Sequence, residues 1–228
     1  MSGPLVVATL AGLKTHTCRP LTLPPKVRAR GPILDKVWYS SGSGEFPGGN
    51  PKFTPGQEPH ATIRCSDRTS QFVSCPFGTV EDRLWVRETW APADEWDKGY
   101  PLDEPVLVGY RADGKVMNCE TPESKWLFYG WKDFAPWFNG HGGKWRPSIH
   151  MARWASRIML EVTEVSVFRV QSATHSVLLR EGIWLGPDDP TEGVLYARWQ
   201  QVWTGIYGPE SWAANPWVWG IGFKLAKP

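Results

Sequence analysis

The chain has 228 residues, of which 41% are hydrophobic, enough to bury the core of one large domain or of one domain with insertions. Its formal net charge of +2 excludes an overall polycationic surface, so any contact with nucleic acid must come from a local basic patch. The 15 tryptophans are well above ordinary usage, and we expect most of them in the core and the rest at pocket or rim positions.

The cysteines and histidines show no metal-binding pattern. No two cysteines form a Cys-x-x-Cys pair, and the histidines lack the close spacing of zinc ligands. We therefore expect a reduced, cytoplasmic protein with no metal and no cofactor. The N-terminus has no basic region followed by an apolar run, and no apolar stretch approaches about 18 residues, which predicts a chain that is neither secreted nor membrane-bound. The cysteines are Cys18, Cys65, Cys75 and Cys119, and the histidines are His16, His60, His141, His150 and His175.

Local patterns in the first half of the chain predict a helix, a loop insertion and two strands. Residues 4–12 have the spacing of a short amphipathic helix that ends at a glycine. Residues 41–60 contain five Gly and four Pro, which disfavour regular structure, so we interpret them as a surface insertion. The patterns over residues 82–90 and 106–111 predict strands, and the Asp-Gly pair at 113–114 predicts a hairpin turn.

The second half begins with another insertion and a long strand. Residues 120–143 are rich in aromatic residues and glycine without a clear period, and we interpret them as an aromatic loop insertion. Residues 158–170 predict a strand in which the apolar phase changes between Val162 and Val165, and this change indicates a bulge.

Two helices and a closing strand complete the pattern. Residues 172–182 predict a short helix with Ser172 as its N-cap and Gly182 as its C-terminal stop. Residues 192–207 have helical spacing, and residues 217–225 alternate as a strand. Together these elements predict an α+β, mainly β protein, a small β-barrel with short helices and long aromatic loop insertions, built as a single domain over 1–228. The helical spacing over 192–207 is carried by Val194, Leu195, Arg198, Val202 and Ile206.

The stretch 145–158 combines cationic, aromatic and hydrogen-bonding side chains in fourteen residues. One interpretation is a surface that binds phosphate by charge and stacks bases on flat rings, with Trp145 and Trp154 as the stacking candidates. The other is a well-packed loop that enters a core strand and pairs its arginines with local carboxylates. His150 suits either interpretation, since it can donate to a base or phosphate or make a structural hydrogen bond. The candidate binding residues are Arg87, Trp145, Arg146, Ser148, His150, Arg153, Trp154 and Arg157.

Carboxylates and arginines alternate along the first predicted strand. Glu81, Asp82 and Glu88 flank Arg83 and Arg87. These carboxylates could take part in chemistry, but ion pairing across strands is the interpretation that we favour.

Several motifs resemble the ASCH-domain proteins of bacteriophages and prophages. They are Gly-Leu-Lys-Thr-His-Thr at 12–17, the run at 78–89, Trp-Arg-Pro-Ser-Ile-His-Met at 145–151, Glu-Gly-Ile at 181–183 and Asn-Pro-Trp-Val-Trp at 215–219. The resemblance spans the chain apart from the two insertions. It implies a PUA-like β-barrel whose cleft binds RNA or a modified nucleoside, in a protein of the bacterial cytoplasm.

One bacterial branch of that family hydrolyses the amide of N4-acetylcytidine. The resemblance carries its catalytic lysine, threonine and glutamate onto Lys14, Thr17 and Glu181. Leu13 and Cys18 stand where the phage pattern has arginines, which removes two positive charges from the expected cleft edge. A threonine hydroxyl needs a base within hydrogen-bond reach, and a lysine serves as that base only if its surroundings lower its pKa toward neutrality.

The sequence leaves several functions open. The first is a non-catalytic module that binds RNA, DNA or a modified base through Arg87, Arg146, Arg153 and Arg157. The second is a hydrolase of N4-acylated cytosine nucleosides, and another branch of the family suggests a ribonuclease. We expect a monomer whose partner is a modified nucleoside or single-stranded nucleic acid, with no membrane contact.

Overall fold

The computed structural model describes residues 3–30, 32–38, 58–92, 106–119, 145–184, 186 and 190–226. It has mixed α+β structure made mainly of strands, and a curled antiparallel half-barrel sheet forms part of it, which confirms the predicted class. Across the described ranges, no helix is long and apolar enough to cross a membrane. The strands are β1 (His16–Pro20), β2 (Pro32–Trp38), β3 (His60–Cys65), β4 (Ser70–Ser74), β5 (Arg83–Trp85), β6 (Trp90–Pro92), β7 (Val106–Tyr110), β8 (Val116–Cys119), β9 (Met159–Arg169) and β10 (Trp217–Leu225). The helices are α1 (Gly3–Leu10), α2 (Pro25–Arg28), α3 (His175–Arg180), α4 (Glu192–Tyr207) and α5 (Pro209–Ala213).

The chain divides into two compact units. Unit 1 comprises residues 1–11, 85–159 and 227–228, and unit 2 comprises residues 12–84 and 160–226. The single domain expected over 1–228 stays a prediction. The insertion expected at 120–143, and all but the last three residues of the one at 41–60, lie outside the described residues.

The main sheet has the order β1-β10-β9-β5, and its paired strands β1, β10 and β9 run antiparallel. Strand β9 pairs with β10 along nearly its whole length. The register shifts between Gly222 and Phe223, which lie opposite Glu164 and Val162, so that Thr163 has no partner in β10. This shift confirms the bulge that the sequence predicted between Val162 and Val165.

One face of this sheet is covered by helices α3 and α4. The prediction of α4 over 192–207 is confirmed, and the helix ends at Gly208, which has a φ of 85°. Its buried stripe differs from the predicted one: Val194 and Ile206 are 49% and 60% exposed. The buried side chains of α4 are Leu195, Trp199 and Trp203, four residues apart. The large indoles bury more area than the aliphatic residues, and they set the rotation of the helix.

The predicted helix over 172–182 is shorter than expected. It begins at His175, and its N-cap is Thr174, whose side chain accepts a hydrogen bond from the Val177 amide. Ser172, the predicted N-cap, lies in a preceding 3₁₀ turn, so that prediction was wrong. Gly182 follows the helix with a φ of 71°, as its predicted role as a stop requires.

Several strands of unit 2 were not predicted. Strand β1 falls in a polar segment, where pairing with β10 stabilises an extended chain that has no apolar alternation of its own. A second, three-stranded sheet has the order β2-β3-β4, and its core contains Ile63, Cys65 and Val73.

Unit 1 contains a three-stranded sheet with the order β6-β7-β8. The hairpin predicted at residues 113–114 joins β7 to β8, and Gly114 takes a φ of 71° in the turn. The strand predicted over 82–90 is interrupted, since β5 ends at Trp85 and β6 begins at Trp90. The core of unit 1 is built from Trp90, Val108, Tyr110, Met151, Trp154 and Ala155.

Candidate functional site

A buried ion pair joins Lys14 to Glu181 in unit 2. The Lys14 side chain is 2% exposed and that of Glu181 is 8% exposed. The Lys14 ammonium donates to Glu181 Oε2, to the Glu181 carbonyl at 2.7 Å and to the His16 carbonyl at 2.7 Å. An ammonium has three protons, and here each of them has an acceptor. In this arrangement the Lys14 side chain holds the Glu181 carboxylate in position.

The end of α3 places this pair. The Arg180 carbonyl accepts a hydrogen bond from the Thr15 amide at 2.8 Å, which fixes the chain entering β1 against the end of the helix. Gly182, with its φ of 71°, comes so close to Lys14 that a Cβ at this position would lie 2.9 Å from Lys14 Cβ. A glycine is therefore needed here both for the backbone conformation and for the space that Lys14 occupies.

Thr17, the third residue of the predicted triad, lies on the other face of β1. Its neighbours His16 and Cys18 are buried on the side of Glu181, and successive side chains of a strand point to opposite faces. The partner of Thr17 in β10 is Ile221, whose side chain lies in the core of that opposite face. Within the described part of the chain, no hydrogen bond joins the Thr17 side chain to Lys14 or Glu181. The structure thus brings two of the three residues together and does not bring the hydroxyl to them.

Cys18 belongs to the same buried cluster. Its amide donates to Glu181 Oε1, and its Sγ lies 3.9 Å from His16 Nδ1. Burial, together with the nearby Glu181 charge, raises the pKa of the Cys18 thiol well above its ordinary value. The thiol is therefore not a nucleophile at neutral pH, and Cys18 packs in a core cluster with Phe168 and Val218.

Three side chains of metal-binding type meet in this cluster. Donor atoms of His16, Cys18 and Glu181 all lie within 4.8 Å of one another, and all three residues are buried. These residues do not form a local metal-binding pattern in the sequence, because Glu181 is 163 residues from Cys18. The one local signal was His-x-Cys in an extended segment, which puts both side chains on one face.

In unit 1, two arginines stack on one tryptophan. The guanidinium carbon of Arg87 lies 4.6 Å from the centroid of Trp85, and that of Arg153 lies 5.9 Å from it. Both arginines are exposed, and Arg87 also donates to the Ile149 carbonyl at 3.3 Å. Ile149 itself is 69% exposed. We refer to Trp85, Arg87, Ile149 and Arg153 as the arginine–tryptophan surface.

Arg157, another predicted binding residue, is buried in an ion-pair network. Its guanidinium donates to both oxygens of Glu88, at 2.8 and 2.9 Å, and to both oxygens of Asp113, at 2.9 and 3.0 Å. Its carbon lies 4.1 Å from the centroid of Tyr110. Burial alone would lower the pKa of Arg157, but the hydrogen bonds to the two carboxylates raise it above its ordinary value. With a side chain only 4% exposed, Arg157 stabilises unit 1 and offers no edge to a ligand.

The remaining predicted residues divide by exposure. Trp154 packs edge-on against Trp90, with ring centroids 5.8 Å apart, in the core of unit 1. Arg146 is half-buried, and its guanidinium carbon lies 5.3 Å from the centroid of the same Trp90 ring. Burial lowers the pKa of Arg146. Trp145 is 40% exposed, which makes it the more accessible of the two stacking candidates. Ser148 and His150 lie in a 3₁₀ turn, half-buried and exposed respectively.

Sequence reasoning missed Trp85 and Ile149 as members of this surface. Trp85 precedes Arg87 by two residues in an extended segment, so both side chains lie on one face, and this spacing was the available signal. Glu88 forms an ion pair with Arg157, but neither residue lies in a strand, so this is not the pairing across strands that the sequence predicted. Asp82 instead accepts hydrogen bonds from the amide and hydroxyl of Thr79.

Comparison with family models, curated proteins and solved structures finds no match to this chain. The resemblance to ASCH-domain proteins therefore stays a prediction. The chemistry assigned to either site has to come from the geometry of the described residues.

Proposed function

We propose that the chain binds a nucleoside, nucleobase or short single-stranded nucleic acid through the arginine–tryptophan surface of unit 1, in a PUA-like fold of the ASCH type. The observation that carries this proposal is the pair of guanidinium groups, 4.6 and 5.9 Å from one indole ring. Guanidinium groups in such positions are attracted to the negative face of the ring.

The surface suits a ligand that is flat in one part and anionic in another. A guanidinium held against an indole can stack a base on its outer face while its N–H groups donate to phosphate. No carboxylate in the described part of the chain lies within ion-pair distance of Arg153, so its charge is available to an anionic ligand. Trp145 and His150 are exposed in the same part of the sequence and are further candidates for a stacking ring and a hydrogen-bonding edge.

The test is binding of fluorescently labelled single-stranded RNA and DNA, and of cytidine 5′-monophosphate, over a series of salt concentrations. We expect Arg87→Gln and Arg153→Gln each to weaken nucleic-acid binding and to reduce the logarithmic salt slope by about one unit or less. The matched control is Arg64→Gln, which removes an exposed arginine from β3 in unit 2. Equal affinities and slopes for all three variants would contradict the proposal.

Hydrolysis of N4-acylated cytosine nucleosides is the second candidate function. The observation that favours it is the contact between Lys14 and Glu181, two residues far apart in the chain that the family resemblance had paired. The reaction would add water across the amide and release cytidine and a carboxylic acid. The resemblance assigns the nucleophile to Thr17, whereas the neighbouring Thr15 hydroxyl accepts a hydrogen bond from Arg180 Nε at 3.4 Å.

Chromatography of N4-acetylcytidine incubated with the protein tests this candidate. We expect conversion to cytidine by the wild type and its loss in Thr17→Ala, with Thr15→Ala as the control that keeps the backbone and removes a neighbouring hydroxyl. Loss of conversion in Thr15→Ala alone would assign the nucleophilic role to Thr15. No conversion by folded wild-type protein at high concentration would exclude the amidase.

A further inference from the structure

We infer that His16, Cys18 and Glu181 form a binding site for a single Zn²⁺ ion. An imidazole nitrogen, a thiolate sulfur and a carboxylate oxygen are the three ligand types that zinc takes in proteins. Here they converge from β1 and from the residue after α3, and all three side chains are buried. The inference concerns unit 2 and does not depend on nucleoside binding by unit 1.

The distances suit a tetrahedral ion. Bonds of about 2.3 Å to sulfur and about 2.0–2.2 Å to nitrogen and oxygen place neighbouring ligand atoms roughly 3.3–3.7 Å apart. Cys18 Sγ and His16 Nδ1 are 3.9 Å apart, and no pair in the cluster exceeds 4.8 Å. Zinc binding therefore needs the ligand atoms to move closer to one another by about 1 Å at most.

The existing hydrogen bonds of the Glu181 carboxylate leave lone pairs that a metal could use. Its carboxylate accepts from the Lys14 ammonium on Oε2 and from the Cys18 amide on Oε1. A carboxylate has roughly four lone-pair sites, so each oxygen retains one after these two bonds. The same donors hold the carboxylate in place, as is usual for carboxylates that ligate metals.

Gly220 in β10 packs directly against the imidazole of His16. A Cβ at Gly220 would lie 3.1 Å from His16 Cε1 and 2.6 Å from Ser166 Oγ. The lack of a side chain at Gly220 therefore lets the ring and the hydroxyl pack closely against β10.

Zinc binding forms a zinc–sulfur bond at Cys18 and releases the thiol proton to solvent, while the imidazole and the carboxylate bind without losing a proton. The Lys14 ammonium remains beside the carboxylate and leaves the loaded cluster with one net positive charge. We therefore expect weaker affinity than in zinc sites made of several thiolates. Three protein ligands leave the fourth position to water.

The test is titration of the full chain with Co²⁺, whose thiolate complexes give a charge-transfer band in the near ultraviolet. We expect the wild type to bind one Co²⁺ with this band and Zn²⁺ to displace it. Cys18→Ser and His16→Gln should each weaken Co²⁺ binding by more than the roughly 10–100-fold that follows loss of a residue supporting a ligand. Cys65→Ser, which alters another buried free cysteine, is the matched control and should bind as the wild type does.

A measurement on the wild type covers the case in which a variant does not fold. X-ray absorption of the zinc-loaded protein should show one sulfur at about 2.3 Å and nitrogen or oxygen ligands at about 2.0–2.2 Å. Absence of sulfur from the zinc shell, absence of the cobalt band in folded wild type, or a band that persists in Cys18→Ser would each overturn the inference. Because these readouts are spectroscopic, their failure is separate from failure to bind nucleic acid or to hydrolyse N4-acetylcytidine.

Discussion

Replacement of Lys14 by Met measures how much the buried ion pair contributes to the fold of unit 2. Methionine keeps most of the apolar stem and removes the ammonium, so the substitution isolates the charge and its three hydrogen bonds. The Glu181 carboxylate would then keep, among the described contacts, only the hydrogen bond from the Cys18 amide.

The expected cost follows from the burial of both partners. Removal of one member of a buried ion pair costs about 3–5 kcal/mol, because the other charge stays buried without compensation. Two carbonyl groups, those of His16 and Glu181, also lose a donor at 2.7 Å. Relaxation and water entry offset part of both effects, so we expect a total near 4 kcal/mol, a large fraction of the roughly 5–15 kcal/mol that stabilises a typical protein.

The assay is urea unfolding followed by tryptophan fluorescence and far-ultraviolet circular dichroism. The matched control is Lys224→Met, since Lys224 pairs with Glu161 at 2.7 Å but its side chain is 60% exposed. That substitution should lower the free energy of unfolding by about 1 kcal/mol or less, because exposed ion pairs contribute no more than this to stability. In the background of Glu181→Gln, whose amide oxygen still accepts from Cys18, Lys14→Met should cost about 2 kcal/mol less than in the wild type.

Equal effects of Lys14→Met and Lys224→Met would refute this reasoning. So would additivity of Lys14→Met with Glu181→Gln, because two residues in direct contact should show coupling. Either result would mean that the pair is solvated in solution and positions nothing.

Two further predictions concern backbone conformation and acid stability. Gly182→Ala should destabilise the protein by about 1–3 kcal/mol in urea unfolding, because it adds a methyl 2.9 Å from Lys14 Cβ at a φ of 71°. The control is Gly205→Ala in α4, where the added methyl meets no atom within 4 Å. This substitution should be neutral or stabilising. The hydrogen bond from Arg157 lowers the pKa of Asp113 below 3.8, its ordinary value, so the stability that Asp113 contributes is present above about pH 3.8 and is lost as the pH falls through the lower folded-state value. Asp113→Asn should therefore flatten the pH dependence of thermal unfolding in that acidic window, and an unchanged profile would show that the carboxylate is not paired in solution.

The sequence predicted well those elements whose signal is local and periodic. Helix α4 was predicted with its bounds because its apolar residues recur at helical spacing and a glycine follows. The bulge in β9 was predicted because a side-chain period of two cannot change phase without an extra residue. The buried stripe of α4 was predicted less well, since burial depends on which face meets the sheet.

Strands with little apolar alternation were not predicted. β1 is polar by composition, and it is extended because β10 supplies a partner along its length. The N-cap of α3 was placed two residues early for a related reason: Ser172 and Thr174 both suit a cap, and only the path of the chain selects Thr174.

By itself, the sequence determined the mainly β class of the protein, its longest helix and strand, and the residue types from which candidate sites could be built. Tertiary structure alone decided which of those residues meet. It paired Lys14 with Glu181 and turned Thr17 to the other face, and it buried Arg157 between two carboxylates while leaving Arg153 exposed. The physical reason is that local periodicity depends on neighbours along the chain, whereas these ion pairs depend on contacts between residues 44 to 167 positions apart.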